Sequence, residues 1–153
     1  LLQGPIGAGK TSFVQGIAEG LCIKEDITSP TFSLSHHYNS GTIPLIHMDL
    51  YRLEESLIAQ EFFASEEEEA IENESIIVIE WPELIKPVLN NFWRIEISYA
   101  INVGRNYKIW DPKNSLTFEW SGCCSIAPSP RQVSNPQTLA NLTQFFISDS
   151  FEG

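Results

Sequence analysis

The chain begins with the stretch LLQGPIGAGKTSF, residues 1–13, and this stretch decides the fold class. Gly4 and Gly9 enclose four residues and are followed at once by Lys10 and Thr11, which is the spacing of a phosphate-binding loop, or P-loop. In such a loop the backbone N–H groups surround the α- and β-phosphates, the lysine reaches the terminal phosphates and the hydroxyl binds Mg²⁺. The alternative interpretation is a glycine-rich turn that has this spacing by chance.

The residues around the motif favour the P-loop. Residues 11–20 carry apolar side chains at helical spacing, and a phosphate at a helix N-terminus is stabilised by the dipole and the free N–H groups. Because they lack a Cβ atom, Gly7 and Gly9 are expected at positive φ. We therefore predict that seven residues bind nucleotide: Gly4, Gly7, Ala8, Gly9, Lys10, Thr11 and Ser12.

Composition bounds the size and class of the protein. The 153 residues are 42% apolar, enough for one sizeable core, and short strand-like and helix-like runs indicate an α/β domain. The net charge of −11 argues against a surface that binds nucleic acid unaided, since phosphate-backbone binding depends on Lys and Arg contacts. Cys22, Cys123 and Cys124 lack metal-ligand spacing and are interpreted as buried or idle thiols in a reducing cytosol.

The sequence predicts one P-loop domain over residues 1–122 and a tail over residues 123–153. Leu1 and Leu2 are interpreted as the end of a truncated strand, because the motif starts at the fourth residue with no initiator methionine before it. The tail is rich in Ser, Pro and Asn, which predicts disorder with a weak helix at 139–147. No signal peptide or membrane-spanning run is visible, so we expect a cytoplasmic protein without membrane contact.

Short elements follow one another along the domain. Residues 31–38 and 43–50 predict a hairpin around a glycine turn, and residues 54–73 predict a helix. Its buried side is expected to carry four residues: Leu57, Ile58, Phe62 and Phe63. Residues 75–80 (SIIVIE) are typical of a strand covered on both faces, and residues 82–88 of a helix that begins with proline. Later strands are predicted at 92–100, 107–110 and 116–120.

Two carboxylates come at the ends of apolar runs. Asp49 ends LIHMD, and Glu80 ends IIVIE. Open α/β sheets bind ligands at the carboxyl ends of their strands, and a P-loop needs an acid to hold Mg²⁺ and to position water. We therefore predict Asp49 and Glu80 as catalytic acids of an ATP site, with Thr11, Asp49 and Glu80 as its Mg²⁺ ligands. The alternatives are that Asp49 caps the following turn and that Glu80 pairs with a surface cation.

A hydroxyl-rich loop, residues 28–32 (TSPTF), lies between the P-loop and these acids. Hydroxyls that face a γ-phosphate can report whether ATP or ADP is bound, as switch loops do. We therefore predict Ser29 and Thr31 as switch residues. The alternative is an ordinary turn that leads into a strand.

Four motifs in this order resemble the TsaE family, also called YjeE, of bacterial tRNA threonylcarbamoyladenosine biosynthesis ATPases. They are GPIGAGKT, TSPTF, HMDLYRL (residues 47–53) and EWPE (residues 80–83), and the resemblance covers about residues 1–100. It implies a P-loop NTPase-like three-layer fold with a small mixed β-sheet. It also implies a cytoplasmic ATPase that acts with TsaB and TsaD to form N6-threonylcarbamoyladenosine (t6A37) on tRNA, which it meets only through these partners.

The resemblance implies roles for individual residues as well. Lys10 would hold the β- and γ-phosphates and Thr11 the Mg²⁺. Asp49 and Glu80 would share Mg²⁺ coordination and water positioning, with the division between them left open. Trp81 would stack or help to dock a partner, and its alternative is a place in the core.

Three further features have two interpretations each. Arg52, within DLYRL, contacts phosphate or pairs with a glutamate just after it. His47 orients the carboxylate of Asp49 or is a satisfied core histidine. The run EEEE at 66–69 is a solvated helix face or a docking surface for a basic partner.

Two other functions compete with that of a partner-dependent ATPase. A small-molecule kinase usually closes several arginines over the transferred phosphoryl group, but Arg52, Arg94, Arg105 and Arg131 form no cluster in the sequence. A nucleotide-dependent switch module would bind ATP or ADP and change shape without significant catalysis.

Overall fold

A computed structural model describes residues 1–101 and 104–122 of the chain. The predicted tail at 123–153, with its weak helix, lies outside the described residues. The elements are β1 (Leu2–Gln3), α1 (Lys10–Gly20), β2 (Ser35–Tyr38), β3 (Leu45–Asp49), α2 (Ser56–Glu72), β4 (Ile76–Glu80), β5 (Arg94–Tyr99), β6 (Arg105–Trp110) and β7 (Leu116–Gly122). Within the described ranges, neither helix has the length and apolar character needed to cross a membrane.

The seven strands form one mixed sheet in the order β2-β3-β4-β1-β5-β6-β7. The central strands β3, β4, β1 and β5 run parallel, while β2, β6 and β7 pair in antiparallel fashion. Leu2 of β1 pairs with Glu80 of β4 on one side and with Ile95 of β5 on the other. The loop after β1 therefore leaves the sheet beside the carboxyl ends of β3 and β4, where open sheets bind ligands.

The two helices cover opposite faces of the sheet. Successive residues of a strand point to opposite faces, so Leu45 of β3 packs with Val14 of α1, whereas Ile46 packs with Phe63 of α2. Because both faces are covered, β3 and β4 can be almost continuously apolar. The predicted three-layer α/β fold with a mixed sheet is confirmed.

The predicted hairpin forms, but its first strand is shorter than expected. β2 pairs with β3 and begins only at Ser35. Residues 31–34 form a turn, closed by a hydrogen bond that the Leu34 N–H donates to the Pro30 carbonyl (2.7 Å). The turn keeps the loop hydroxyls before it out of the strand ladder and at the end of the sheet.

The buried side of α2 differs from the predicted stripe. Leu57 is 67% exposed and Ile58 is 48% exposed, so their predicted burial is wrong, while Phe63 is buried and Phe62 partly buried. The buried residues are Ala59, Phe63, Glu66 and Ala70. Because a helix turns once in about 3.6 residues, Leu57 lies nearly opposite this stripe.

The predicted helix at 82–88 is wrong, because the segment forms two short 3₁₀ turns, Pro82–Leu84 and Lys86–Val88. Pro87 explains the interruption: it has no N–H to donate, and its ring would clash with the preceding turn of an α-helix. Trp81, just before the first turn, has a φ of 56°, in the left-handed region, and there the chain leaves β4.

Candidate nucleotide site

The loop of residues 4–9 joins β1 to α1 at the carboxyl edge of the parallel strands. Gly7 (φ 73°) and Gly9 (φ 101°) have the positive φ angles expected of them. Gly4 is required for a different reason: a Cβ atom there would lie 2.1 Å from the carbonyl oxygen of Ile97 in β5. Ala8 is buried. At Gly4 the backbone of the loop is therefore packed directly against β5, with no room for a side chain between them.

Lys10 is buried at the start of α1, and its ammonium group turns toward its own loop. Its Nζ donates hydrogen bonds to the carbonyl oxygens of Gly4 (2.9 Å) and Pro5 (3.1 Å), and it lies 4.0 Å from the centre of the Trp81 ring. These partners are neutral. A phosphate oxygen would offer the ammonium group a charge-assisted hydrogen bond, which is about twice as strong as a bond between neutral groups.

The electrostatic surroundings of Lys10 are acidic. Burial lowers the pKa of Lys10, and the negative charges of Glu80, Asp49 and Glu83 partly oppose this shift. Glu80 and Asp49 are each only 3% exposed. Two buried carboxylates beside the loop would repel a polyphosphate, so the site favours a divalent cation between the acids and the anion.

Glu80 is bonded directly to the P-loop helix. Its Oε1 accepts a hydrogen bond from the Thr11 hydroxyl (2.9 Å) and lies 3.0 Å from the ring Nε2 of His47. The predicted alternative of a surface cation for Glu80 is therefore wrong. The alternative in which His47 orients Asp49 is also wrong, because the imidazole reaches across to the acid of the neighbouring strand.

Asp49 holds the hydroxyl-rich loop. Its Oδ2 accepts hydrogen bonds from Thr31 (2.6 Å) and Ser29 (3.1 Å), and its Oδ1 accepts one from the backbone N–H of Tyr51 (3.0 Å). The last bond is the turn cap offered above as the alternative role of Asp49. Although β3 and β4 pair Asp49 with Glu80, the two carboxylates thus bind different parts of the site.

Thr11 and Glu80 bring oxygen atoms together at this edge of the sheet, and the strand register places Asp49 beside Glu80. Mg²⁺ prefers oxygen ligands and is usually held by one or two carboxylates together with phosphate and water. Glu80 Oε2 has no hydrogen-bond partner among the described residues, whereas both carboxylate oxygens of Asp49 are in use. The donor set fits Mg²⁺, with Thr11 and Glu80 better prepared to bind it than Asp49.

Two side chains of the β5–β6 hairpin hold the P-loop from outside and were missed from the sequence. Arg105 donates from Nε to the Ala8 carbonyl (2.9 Å) and from Nη2 to the Gly7 carbonyl (3.2 Å), and the Tyr99 hydroxyl donates to the Ile6 carbonyl (2.5 Å). A trans peptide points its N–H opposite to its C=O, so these bonds turn the N–H groups of Gly7 and Gly9 away from the hairpin. The N–H of Ala8 donates to the Pro5 carbonyl (3.1 Å) within the loop. No local signal marks the contacts between hairpin and loop, because they join residues more than 90 positions apart.

Aromatic rings flank the site. Trp81 is half-buried; its ring centre lies 4.0 Å from the Lys10 ammonium and 4.9 Å from the centre of the Tyr51 ring, to which it is tilted by 49°. Its role in stacking or in docking a partner stays a prediction. The guanidinium of Arg52 lies 4.7 Å from the ring centre of Phe32, which is 89% exposed. Within the described residues, Arg52 makes no ion pair with the glutamates after it.

The acidic run of α2 is not a uniformly solvated face. Glu66 is 9% exposed; it accepts a hydrogen bond from the Ser35 hydroxyl (2.8 Å), and its Oε2 lies 2.7 Å from His37 Nε2. Glu69 lies 3.0 Å from the other ring nitrogen of His37. The solvated-face interpretation is therefore wrong for Glu66, which belongs to the buried stripe of α2, and fits Glu67 and Glu68, which are exposed.

Sequence comparison places the chain among known proteins. Residues 1–107 match the family described as "Threonylcarbamoyl adenosine biosynthesis protein TsaE". The chain belongs to the TsaE family. The match includes the P-loop, both acids, the hydroxyl-rich loop and Arg105.

Several curated TsaE proteins are similar to this TsaE-family chain. The one from Nostoc sp. is 42% identical over 113 residues, which are 71% of this chain and 67% of the relative. The one from Treponema pallidum is 40% identical over 109 residues, or 71% of this chain and 77% of the relative. The one from Bacillus subtilis is 42% identical over 91 residues, or 58% of this chain and 52% of the relative. All three are named tRNA threonylcarbamoyladenosine biosynthesis proteins.

A solved structure shares the fold. The crystal structure of Bacillus subtilis YdiB is similar with a TM-score of 0.52 at 24% identity, covering 96% of this TsaE-family chain and 76% of YdiB. At this identity the likeness speaks for the fold alone, and the family assignment rests on the sequence matches.

Proposed function

We propose that the chain is an ATPase that binds MgATP at its P-loop and, with a TsaB–TsaD pair, supports t6A37 formation on tRNA. The observation that carries the proposal is the 2.9 Å hydrogen bond between the Thr11 hydroxyl and the Glu80 carboxylate. It joins the hydroxyl of the P-loop motif to the acid of the adjacent strand, and both groups would then face a metal ion and the terminal phosphates.

Binding would use groups that are already oriented. The N–H groups of the loop and of the first turn of α1 would surround the phosphates, and the dipole of α1 would favour their charge. Lys10 would exchange the carbonyls of Gly4 and Pro5 for a terminal phosphate, moving only its flexible side chain. When bound, Mg²⁺ would neutralise charge on the phosphate oxygens, held by Thr11 and Glu80.

Hydrolysis would depend on Glu80. Its Oε1 accepts from Thr11 and faces His47, so the carboxylate is fixed, while Oε2 remains available to orient a water molecule or a metal-bound water. Phosphoryl transfer needs positioning and charge stabilisation more than covalent chemistry, and a fixed carboxylate with one available oxygen suits that need. Asp49 would instead control the hydroxyl-rich loop through Ser29 and Thr31.

For its proposed role on tRNA, this chain would need a partner protein that holds the tRNA. The net charge is −11, so the chain by itself offers a nucleic acid little attraction, and a TsaB–TsaD pair would have to hold the tRNA. Family membership supports the pathway, and the resemblance stated above supports these two partners.

A second candidate, a nucleotide-dependent switch without significant catalysis, is favoured by one observation. Ser29 and Thr31 both bind one oxygen of Asp49, so a γ-phosphate or Mg²⁺ that competes for these groups would release the loop. A small-molecule kinase is less well supported, because the described arginines near the site are engaged with the loop carbonyls (Arg105) or with Phe32 (Arg52).

The test is ATP turnover by the chain alone, by the TsaB–TsaD pair alone and by all three proteins together. We expect slow turnover by the chain alone and clear stimulation by the pair, and loss of both with Lys10→Ala, since that change removes a charge-assisted contact to phosphate worth about 1.5–3 kcal/mol. Nucleotide binding with no turnover in any mixture would favour the switch. Absence of nucleotide binding would exclude both the ATPase and the nucleotide-dependent switch.

A further inference from the structure

His47 is a polar residue in a place that normally excludes polar groups. It lies in the middle of β3, is 0% exposed, and pairs in register with Val78 of β4. Side chains two residues apart on a strand share a face, so His47 lies on the same face as Asp49 and, across the parallel pair, as Glu80. A buried polar group is costly unless it is hydrogen-bonded, so the bond to Glu80 is what stabilises the imidazole there.

The hydrogen-bond partners of His47 assign its tautomer. A carboxylate only accepts hydrogen bonds, so Nε2, 3.0 Å from Glu80 Oε1, is the nitrogen that donates. Nδ1 is buried with no hydrogen-bond partner. With the proton on Nε2, Nδ1 is a buried acceptor without a partner. With the proton on Nδ1 alone, a buried N–H would have no acceptor and the lone pair of Nε2 would face the carboxylate, so the tautomer with the proton on Nε2 is favoured.

We propose that His47 is a positioning residue that holds Glu80 in place when nucleotide is bound. The inference rests on the proposed ATPase function. Two donors, Thr11 and His47, share Glu80 Oε1. If the Thr11 hydroxyl turns to Mg²⁺, His47 is the donor that remains on that oxygen among the described contacts, and it keeps Oε2 directed at the site.

This role predicts a separation of binding from turnover. Nucleotide affinity depends mainly on the loop N–H groups and on Lys10, none of which contacts His47 in the described hydrogen bonds. Turnover depends on the orientation of Glu80. Loss of a residue that orients a catalytic or metal-binding group typically costs about 10–100-fold in activity.

The experiment compares three variants with the wild-type chain. His47→Leu removes the donor with little change in volume, and His47→Gln keeps an N–H donor of similar reach. His36→Leu is the matched control, because His36 pairs opposite His47 in the hairpin but contacts Thr28, at the start of the hydroxyl-rich loop, and Tyr38, and makes no hydrogen bond to Glu80 among the described contacts. Partner-stimulated turnover at saturating MgATP, calorimetric affinity for ADP and thermal unfolding are measured for each.

We expect His47→Leu to lower kcat by about 10-fold or more with ADP affinity changed less than about threefold, and His47→Gln to restore most of the loss. In the background of Glu80→Gln, His47→Leu should have little further effect, because the two residues act as one unit. Wild-type turnover by His47→Leu, or equal losses with Leu and Gln at equal stability, would overturn the inference while the proposed function stands. A wild-type chain that neither binds nor hydrolyses ATP beside its partners would overturn both.

Discussion

At the scale of single residues, the two acids of the site differ in the groups that they bind. Asp49 accepts three hydrogen bonds that use both of its oxygens, and all three come from the hydroxyl-rich loop and the turn after β3. Glu80 uses only Oε1, toward Thr11 and His47. A carboxylate with one oxygen held and one available is the better candidate for orienting a water molecule, so we assign that task to Glu80.

Glu80→Gln tests this assignment. The change keeps nearly the same shape and removes the negative charge, so ATP and ADP should bind with little loss of affinity, since the loop N–H groups and Lys10 supply most of the contacts. Partner-stimulated turnover should fall by about 10²-fold or more, the scale of losing one general base or electrostatic group. Calorimetry measures the first quantity and phosphate release the second. Wild-type turnover by this variant would leave Asp49 as the catalytic acid.

At the scale of elements, the P-loop depends on a hairpin that is remote in sequence. Arg105 and Tyr99 are directly paired across β5 and β6, and together they bond to three successive carbonyls of the loop. The guanidinium of Arg105 also lies 4.7 Å from the ring centre of Tyr99, which keeps both side chains in one arrangement. The hairpin therefore fixes this side of the loop, and under the proposed function it orients the loop for phosphate before any nucleotide arrives.

Arg105→Ala should weaken nucleotide binding by about 10-fold, because each of its hydrogen bonds to the loop is charge-assisted and a less rigid loop must be ordered on binding. Lys108→Ala is the matched control: Lys108 lies on the same strand and carries the same charge, but it pairs with Glu119 at the surface. Calorimetry with ADP measures the effect. An equal loss of affinity in both variants would mean that the charge of the strand, and not its contact with the loop, is responsible.

The corrected stripe of α2 makes a prediction about stability. Phe63→Ala should lower the free energy of unfolding by about 3–5 kcal/mol, since it removes a buried aromatic ring and leaves a cavity against the sheet. Leu57→Ala, on the exposed side of the same helix, should change it by less than about 0.5 kcal/mol. Urea unfolding of both variants gives the comparison. Similar losses of unfolding free energy in the two variants would mean that Leu57 is buried, as the sequence spacing predicted.

At the scale of the whole molecule, charge decides which partners the chain can bind by itself. The chain has nine basic and twenty acidic residues, and two of the basic side chains, Lys10 and Arg105, are already bonded to the P-loop. Few cations remain to release counterions from a phosphate backbone. Under the proposed function, another protein would therefore have to hold the tRNA.

We expect the isolated chain to bind tRNA weakly or not at all, even at low ionic strength, because there is little counterion release to drive association. Fluorescence anisotropy with labelled tRNA at several salt concentrations measures this, and the TsaB–TsaD pair with the same tRNA provides the comparison. Tight binding by the isolated chain with a steep salt dependence would contradict the partner-dependent function.

Local patterns in the sequence determined much of the fold and which residues are candidates for the site. The P-loop, α1, the hairpin and the acids at the ends of β3 and β4 follow from glycine spacing and from helical and strand periodicity, which act within a few residues. The helix predicted after β4 was wrong although its signals are equally local, since Pro82 predicts a helix start while Pro87 interrupts the helix. Competing local signals of this kind are decided by packing.

Only the tertiary structure decided which groups meet. His47 turned out to bind Glu80 and not Asp49, Glu66 became buried against β2, and Arg105 reached a loop carbonyl 97 residues earlier in the chain. Each of these contacts depends on strand order and register, because β4 lies between β1 and β3 and β6 lies beside β5. Strand order is set by burying both faces of the central strands against the two helices, a condition that no short stretch of sequence contains.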